Sequence, residues 1–287
     1  MDCRKRGTPN LACPFFLSGH LAFETMNPLL DPAARPVIGH RGNKAFAPEN
    51  TLESFRQAVA AGADAIEFDV RISADGIPVV FHDPTVSRTT SGSGEVARMT
   101  FAQLRALDAG SRFTNDAGKS FPYKDSGVLI PSFDEILDAF PAFPLLIEIK
   151  DPLASPAVRK AIESRNASSR CLIDALDSRS LRPFSGSSIA TGAGRSGVAQ
   201  LMAGVLLHRR ITSLPFNALC IPLTYNGLPL PVRRFAKVAP LHGCRVHVWT
   251  INDPAVAIDL WTAGVNGIIS DDPAAMLKTR ETLPGRT

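Results

Sequence analysis

The sequence contains no long apolar run, although 45% of its 287 residues are hydrophobic. No stretch approaches the roughly 20 apolar residues of a membrane-spanning helix, so no integral membrane segment is expected. The 21 glycines and 23 prolines are too scattered for a collagen-like or low-complexity chain. The 31 basic residues are spread out and leave a net charge of only +4, which does not indicate nucleic-acid binding.

Cysteine pairs are missing as well. The five cysteines are odd in number and form no CxxC pair, which argues against a disulfide framework and against a zinc knuckle. We therefore expect them to be buried small hydrophobic residues in a reducing compartment.

The N-terminus has no convincing export signal. A basic cluster precedes a hydrophobic stretch, but Pro14, Gly19 and His20 interrupt that stretch. The expected location is therefore cytoplasmic. We predict that residues 1–25 are a disordered, dispensable tail.

Strand-like segments alternate with helical patterns along the rest of the chain. This alternation over about 250 residues predicts a (β/α)8 TIM barrel, which we place at residues 33–280. Residues 84–131 are polar, contain one short helical pattern and are interpreted as an insertion. Nine strand candidates are found where eight are needed, and the sequence does not say which is peripheral. They are residues 36–42, 65–73, 77–83, 144–150, 171–177, 187–193, 218–223, 244–251 and 267–272.

The first helix follows the first strand. Asn50 is a candidate N-cap, because Glu53 follows three residues later and an apolar face begins at Leu52.

Acidic residues alternate with apolar ones in two strand candidates. In AIEFDVRIS, Glu67, Asp69 and Arg71 share one face, and in PLLIEIK, Glu148 and Lys150 share one face. In a barrel, the apolar faces meet the helices and the acidic faces point into the mouth. Buried carboxylates of this kind can hold a hard divalent cation, Mg²⁺ or Ca²⁺. Alternatively, Glu67 and Asp69 pair with Arg71 or Lys150 as structural salt bridges.

Two histidines stand at predicted strand ends. His40 ends the first strand, where barrel enzymes collect catalytic residues. His82 ends the second strand of a predicted hairpin, which would put it opposite Glu67 or Asp69. The two rings are candidates for a general acid and a general base, and Arg41 adds a charge suited to phosphate. The other histidines are predicted to be structural or exposed: His20, His208, His242 and His247.

Two other catalytic patterns receive little support. No GxSxG motif is present, which argues against a serine nucleophile of the hydrolase type. The segment GAGRSG at 192–197 is glycine-rich, but it lacks the GK[ST] ending of a phosphate-binding loop and does not fit GxGxxG.

The motifs taken together resemble the glycerophosphodiester phosphodiesterase family. The resemblance is close over residues 36–150, good over 244–275 and absent over about 151–243. It implies a TIM barrel with a small insertion after the HD motif. The matching segments are IGHRG, PENTLESF, IEFDVRISADGIPVVFHD, RTTSGSGEV, IPSFDEIL, IEIK, VWTIND and GIISDDP.

The resemblance also implies a role for each matching residue. Trp249 corresponds to an aromatic near the glycerol end of the substrate, with a core tryptophan as the alternative. Glu49 corresponds to a residue that supports the site or approaches the metal. The remaining implied roles are ligation of one divalent cation by Glu67, Asp69 and Glu148, acid–base catalysis by His40 and His82, and phosphate binding by Arg41 and Lys150.

The implied reaction is metal-dependent hydrolysis of a small-molecule glycerophosphodiester to glycerol 3-phosphate and an alcohol. A cyclic phosphate would form and then be opened by water. One alternative keeps the fold and changes the substrate, as in a lysophospholipase D or another phosphodiesterase. Alternatives of other classes are a non-catalytic phosphodiester-binding protein and a metal-dependent sugar isomerase.

Overall fold

The computed structural model describes residues 26–207 and 211–284. The predicted tail, residues 1–25, and His208 lie outside the described residues. The strands are β1 (Val37–His40), β2 (Ala65–Ile72), β3 (Pro78–Val80), β4 (Leu145–Ile149), β5 (Cys171–Asp174), β6 (Ala190–Thr191), β7 (Ala218–Pro222), β8 (Thr224–Tyr225), β9 (Leu228–Pro229), β10 (Arg245–Trp249) and β11 (Gly267–Ser270). The α-helices are α1 (Leu52–Ala60), α2 (Phe101–Arg105), α3 (Phe133–Ala139), α4 (Ser155–Ser164), α5 (Gly194–Leu206), α6 (Val232–Val238), α7 (Pro254–Thr262) and α8 (Pro273–Glu281).

Eight of these strands form a parallel barrel, which confirms the predicted fold. The strands follow one another in the order β6-β5-β4-β2-β1-β11-β10-β7. A single parallel bridge between Gly192 and Ala218 joins the two ends, so the sheet is nearly closed. The ninth strand candidate is β3, which pairs antiparallel with β2 and lies outside the barrel path.

Side chains alternate between the two faces of each strand, so the apolar side chains form two layers. Inward-facing side chains such as Ile38, Leu146 and Ile269 fill the barrel interior. Side chains on the other face, including Phe68 and Ile147, pack beneath the surrounding helices. Both faces of a parallel strand are therefore buried, as parallel sheets require.

The N-terminal end of the barrel is closed by the segment that precedes β1. Leu29 is fully buried among the interior residues. The carbonyl oxygen of Leu29 is 2.9 Å from His247 Nε2, and that of Leu30 accepts a hydrogen bond from Arg245. His247 is thus a structural histidine, as predicted, whereas His242 is half-buried.

The N-terminus of α1 differs from the prediction. Thr51, not Asn50, is the N-cap, since the Thr51 side chain accepts a hydrogen bond from the Ser54 amide. Asn50 instead has a positive φ of 58° and turns toward the neighbouring strand. The prediction was wrong because asparagine suits both a helix cap and the left-handed conformation.

The segment from β3 to α3 contains helix α2 and a 3-10 turn at Val96–Arg98 but no barrel strand. It has an apolar cluster of its own, which includes Val86, Leu104 and Ile130. The residues that we interpreted as an insertion, 84–131, lie within this segment. Among the described residues, no helix combines the length and apolarity needed to cross a membrane.

Candidate active site

The parallel register brings the predicted polar residues to one end of the barrel. His40 at the end of β1 is the register partner of Glu67 in β2. Asp69, two residues further along β2, is the partner of Glu148 in β4. Because the carboxyl ends of parallel strands share one edge, these side chains face the same mouth.

The three carboxylates converge. Glu67, Asp69 and Glu148 each offer an oxygen atom, and these atoms lie within 4.8 Å of one another. Glu67 and Asp69 are only 6% and 1% exposed. Burial and the nearby Asp69 raise the pKa of Glu67 well above its ordinary value. Acidic groups packed this closely require positive charge nearby.

Part of that charge comes from Lys150. Its Nζ atom is 2.8 Å from Glu148 Oε1 and 3.1 Å from Asp69 Oδ1. Burial works against its charge, but the carboxylates of Asp69 and Glu148 prevail and raise the pKa of Lys150. The predicted salt bridge through Lys150 therefore forms. Arg71 instead donates a hydrogen bond to the His82 carbonyl oxygen.

Arg41 provides the second cation. Its backbone has a positive φ of 53°, which directs its amide to Glu67 Oε2 at 2.9 Å. The guanidinium reaches Asp69 Oδ2 at 3.1 Å and Glu49 Oε1 at 2.7 Å. Glu49 also pairs with Arg88. Glu49 thus anchors Arg41 and lies outside the acidic triad of ligand atoms.

His40 is paired with a carboxylate that the sequence analysis did not identify. His40 Nδ1 is 2.6 Å from Asp271 Oδ1. Burial lowers the pKa of His40, although its hydrogen bond to the Asp271 carboxylate acts in the opposite direction. Asp271 also contacts Lys44 and Asn252. Since Asp271 holds Nδ1, the other ring nitrogen, Nε2, is available to a ligand.

His82 has a similar arrangement. Its Nδ1 atom is 2.6 Å from Oδ1 of Asp83, the next residue, and burial is the largest influence that lowers its pKa. The β2–β3 register pairs Val80 with Val70, and extending it places His82 beside Phe68 rather than opposite residue 67 or 69. The predicted register was therefore wrong by one residue, yet His82 still lines the same pocket as Glu67.

Two further site residues were missed. Asn50 Nδ2 donates to Asp69 Oδ2, and Asn50 Oδ1 accepts from the Asp69 amide. Asp174 ends β5 as the register partner of Glu148. Burial and the charge of Glu148 raise the pKa of Asp174 to about 7. A signal was available for Asp271, which stands near the carboxyl end of the predicted strand 267–272, whereas Asp174 lies in the middle of the predicted strand 171–177 and ends only the observed strand.

The mouth forms a pocket of about 160 Å³. Trp249 from β10 lines it. So do the two predicted catalytic histidines, two of the predicted metal ligands and the two predicted phosphate-binding residues. The lining residues are His40, Arg41, Glu67, His82, Leu146, Glu148, Lys150, Asp174, Leu176, Cys220, Trp249 and Ile269. In the described part of the chain, Cys171, Cys220 and Cys244 are unpaired thiols, of which Cys171 and Cys244 are buried as predicted.

Comparisons with known proteins agree on one family. The sequence profile of the "Glycerophosphoryl diester phosphodiesterase family" matches residues 40–275. A glycerophosphodiester phosphodiesterase from Caldanaerobacter subterraneus is 32% identical over 249 residues, covering 84% of this chain and 96% of that relative.

Solved structures of similar proteins have the same fold. A phosphodiesterase from Oleispira antarctica, in complex with the product sn-glycerol-3-phosphate, is 27% identical with a TM-score of 0.70, covering 86% of this chain and 97% of that one. A glycerophosphoryl diester phosphodiesterase domain from Mycobacterium tuberculosis shares the fold at 20% identity, with a TM-score of 0.75 and coverage of 86% and 99%.

Proposed function

Because this chain belongs to the glycerophosphoryl diester phosphodiesterase family, we propose that it hydrolyses glycerophosphodiesters to sn-glycerol 3-phosphate and an alcohol. One observation carries the proposal. Two carboxylate-paired imidazoles line a single pocket with Glu67, Glu148, Arg41 and Lys150, and the third acidic residue, Asp69, lies within 4.8 Å of the two glutamates. A protein that only binds a phosphodiester has no need of two paired proton-transfer groups, so we favour an enzyme.

The acidic triad is proposed to hold one divalent cation. Its donors are all carboxylate oxygens, within 4.8 Å of one another, which suits Mg²⁺ or Ca²⁺ better than a metal that prefers nitrogen or sulfur. Glu67, Asp69 and Glu148 would be the ligands. Such an ion supplies Lewis acidity to a phosphoryl oxygen and lowers the pKa of a nearby hydroxyl.

Arg41 and Lys150 are proposed to bind the phosphate. Both cations already contact Asp69, and both line the pocket. The guanidinium is held by Glu49, so little side-chain freedom is lost when it meets an anion. Trp249 is placed to contact the glycerol end of the substrate from β10.

His40 and His82 are proposed to transfer protons. In both rings Nδ1 is held by a carboxylate, which leaves Nε2 as the reactive atom. Burial lowers both pKa values, so the neutral rings, which can accept a proton at Nε2, are favoured at neutral pH. Protonation of one ring converts it to a general acid.

The proposed reaction has two steps. The glycerol 2-hydroxyl attacks phosphorus and gives its proton to one histidine, while the bond to the leaving alcohol breaks and that alcohol takes a proton from the other histidine. The product of this step is a cyclic phosphate. Water then opens the ring with the histidine roles reversed, which restores both protonation states.

Turnover of glycerophosphocholine tests the proposal. We expect the purified protein to release glycerol 3-phosphate and choline, to lose activity in EDTA and to regain it with Mg²⁺ or Ca²⁺. Replacing His40 or His82 by alanine should lower kcat by about 10²-fold or more, the usual contribution of general acid–base catalysis. His242→Ala, at a half-buried histidine outside the pocket, is the control and should stay near wild type. Near-full activity of either catalytic variant would refute the assignment.

A further inference from the structure

One arginine of the insertion contacts two carboxylates of the site, and the proposed reaction gives it no role. Arg88 begins the segment RTTSGSGEV, which follows β3 in the chain. Its guanidinium reaches Glu49, in the loop before α1, and Asp83, just after β3. Because these two carboxylates come from different loops, Arg88 links two parts of the site.

The guanidinium contacts both oxygen atoms of each carboxylate. Nη1 is 2.9 Å from Glu49 Oε2, and Nη2 is 2.7 Å from Glu49 Oε1. Nε is 2.5 Å from Asp83 Oδ2, and Nη2 is also 3.2 Å from Asp83 Oδ1. This double bidentate contact needs the planar fork of donors that arginine has, and the single ammonium group of lysine cannot reproduce it.

Each carboxylate in turn holds a group that the proposed reaction uses. Glu49 Oε1 accepts a hydrogen bond from Arg41 Nη1 at 2.7 Å. Asp83 Oδ1 is 2.6 Å from His82 Nδ1. Arg88 is therefore separated by one carboxylate from the proposed phosphate-binding arginine and by another from one of the two histidines.

Arg88 also keeps both carboxylates ionised. Burial acts to raise the pKa of Glu49 and of Asp83, but the hydrogen bonds from Arg88 and the nearby cations outweigh it and lower both pKa values. The pKa of Asp83 falls to about 2. An ionised Asp83 can accept the proton on Nδ1 of His82, which leaves Nε2 of that ring to exchange protons with a ligand.

The backbone around Arg88 is fixed by the insertion itself. Val86 and Thr90, two residues to either side, are fully buried. The Thr90 amide and the Thr90 hydroxyl both donate to the Val86 carbonyl oxygen, at 3.2 and 2.8 Å. The Val86 amide donates to the Gly94 carbonyl oxygen. The turn that carries Arg88 is thus closed by its own contacts, and only the side chain has to be ordered against the site.

Arg88 acts from outside the pocket at the barrel mouth. Among the described residues, those that line this pocket do not include Arg88, which lines a separate hollow of about 280 Å³. Its side chain is 49% exposed, and three of its nitrogen atoms already face Glu49 and Asp83. It is therefore placed to act on the substrate through these carboxylates and not by contact.

Resting on the proposed function, we infer that Arg88 is a positioning residue for the reaction. Through Glu49 it orients the guanidinium of Arg41 toward the phosphate. Through Asp83 it orients the ring of His82 for proton transfer. The insertion thus contributes to catalysis by holding the phosphate-binding group and one proton-transfer group in a single geometry, which reduces the freedom that is lost when the transition state forms.

Kinetics of Arg88→Ala and Arg88→Lys on glycerophosphocholine test this inference. We expect kcat to fall by about 10–100-fold in Arg88→Ala, the usual cost of removing a group that orients a reactive residue. KM should rise less than kcat falls, because proton transfer by His82 occurs only in the transition state. Arg88→Lys keeps the charge but not the fork, so it should recover only a small part of kcat.

The lysine variant separates positioning from a merely structural role. If Arg88 only attaches the insertion to the barrel by its charge, Arg88→Lys should be as active as wild type. Because the charge is kept, this variant also decides the case if Arg88→Ala does not fold. Urea unfolding of both variants shows that the loss of kcat is measured on folded protein.

Two further comparisons make the test specific. Arg112→Ala removes a positive charge that lines the same hollow but donates to the Thr90 carbonyl oxygen, and its kcat should stay near wild type. Since Arg88 acts partly through Asp83, the loss caused by Arg88→Ala should be smaller in an Asp83→Asn background than in wild type.

Four results would overturn the inference. They are a wild-type kcat in Arg88→Ala, a wild-type kcat in Arg88→Lys, an equal loss in Arg112→Ala, and strictly additive losses in the Asp83→Asn background. In each case the proposed function stands, since wild-type protein still hydrolyses glycerophosphocholine. Wild-type protein without activity on any glycerophosphodiester would instead refute the proposed function, and the inference with it.

Discussion

At the scale of single residues, the site depends on how each reactive group is held. His40 and His82 are each fixed through Nδ1 by an aspartate, and Arg41 is fixed by Glu49. Such contacts orient a ring or a guanidinium before a ligand arrives, so less freedom is lost in the reaction. The aspartates at 83 and 271 are thus positioning residues.

Asp271→Asn tests this positioning. The carboxylate of Asp271 raises the pKa of His40 against the effect of burial, so its loss should lower that pKa further below the ordinary value of 6.5. We expect kcat to fall by about 100-fold or more. The limb of the pH–rate profile that belongs to His40 should move to lower pH: the acid limb if His40 is the base, the alkaline limb if it is the acid.

The control is Asp259→Asn, at an exposed carboxylate paired with Arg233. It should leave both kcat and the profile unchanged. A profile for Asp271→Asn that coincides with that of wild type would rule out the proposed role of Asp271.

The sequence was sufficient to predict the residues whose chemical type the proposed reaction requires. It was not sufficient to predict the residues that hold them in place. Glu67, Asp69 and Glu148 were identified because carboxylates rarely alternate with buried apolar residues by chance. Asn50 was not, because a local pattern cannot show that an amide reaches a strand 19 residues away.

At the scale of elements, the turn after β1 is tightly packed. It follows His40 and carries Arg41, and Gly42 comes next with a φ of 90°. A Cβ atom at Gly42 would lie 2.4 Å from Ser54 Oγ and 2.8 Å from the Phe55 ring. The turn therefore packs against α1 through a residue that has no side chain.

Gly42→Ala should be markedly destabilising. Gly76 also has a positive φ, of 79°, but an added Cβ there meets nothing within 4 Å, so Gly76→Ala serves as the control. We expect Gly76→Ala to cost about 1–2 kcal/mol from backbone strain alone. Gly42→Ala should cost about 1–3 kcal/mol more because of overpacking. Urea unfolding measures both, and equal losses would contradict this account of the turn.

The strand pattern predicted the barrel and a hairpin after β2, but not which of the nine strand candidates lies outside the barrel. A hairpin strand and a barrel strand have the same alternation, and the antiparallel pairing of β3 with β2 distinguishes them. The one-residue error at His82 has the same origin, since register depends on the turn at Ser73–Ile77 and not on hydrophobicity alone.

At the scale of the whole molecule, the barrel interior is closed at the end opposite the site. Leu29 is fully buried there, and its neighbour Leu30 accepts a hydrogen bond from Arg245. The fold therefore depends on residues just after position 26, before β1 begins.

Two variants distinguish the contribution of the predicted tail, residues 1–25, to stability from that of the segment that closes the barrel. A chain that starts at Met26 keeps every contact described above, so its free energy of unfolding should stay within about 0.5 kcal/mol of wild type. Leu29→Ala in the same chain should cost about 2–5 kcal/mol. Thermal and urea unfolding measure both, and a large loss from removing residues 1–25 would contradict the predicted tail.

The fold as a whole was more predictable than the extent of the pocket. Predicting the barrel needs only alternation and spacing, which the sequence displays over most of residues 36–272. The pocket depends instead on pairs such as His40 and Asp271, where residues distant in the chain meet.

The central claim is that Glu67, Asp69 and Glu148 together bind one divalent cation, and electron paramagnetic resonance of Mn²⁺ tests it most directly. Mn²⁺ prefers the same oxygen ligands as Mg²⁺, and its free-ion signal falls when it binds. We predict one bound ion per chain, displaced by Mg²⁺ or Ca²⁺, with affinity lowered at least about tenfold in Glu67→Gln and Glu148→Gln. An unchanged Mn²⁺ affinity in both variants, or no binding to the wild-type protein, would contradict the claim.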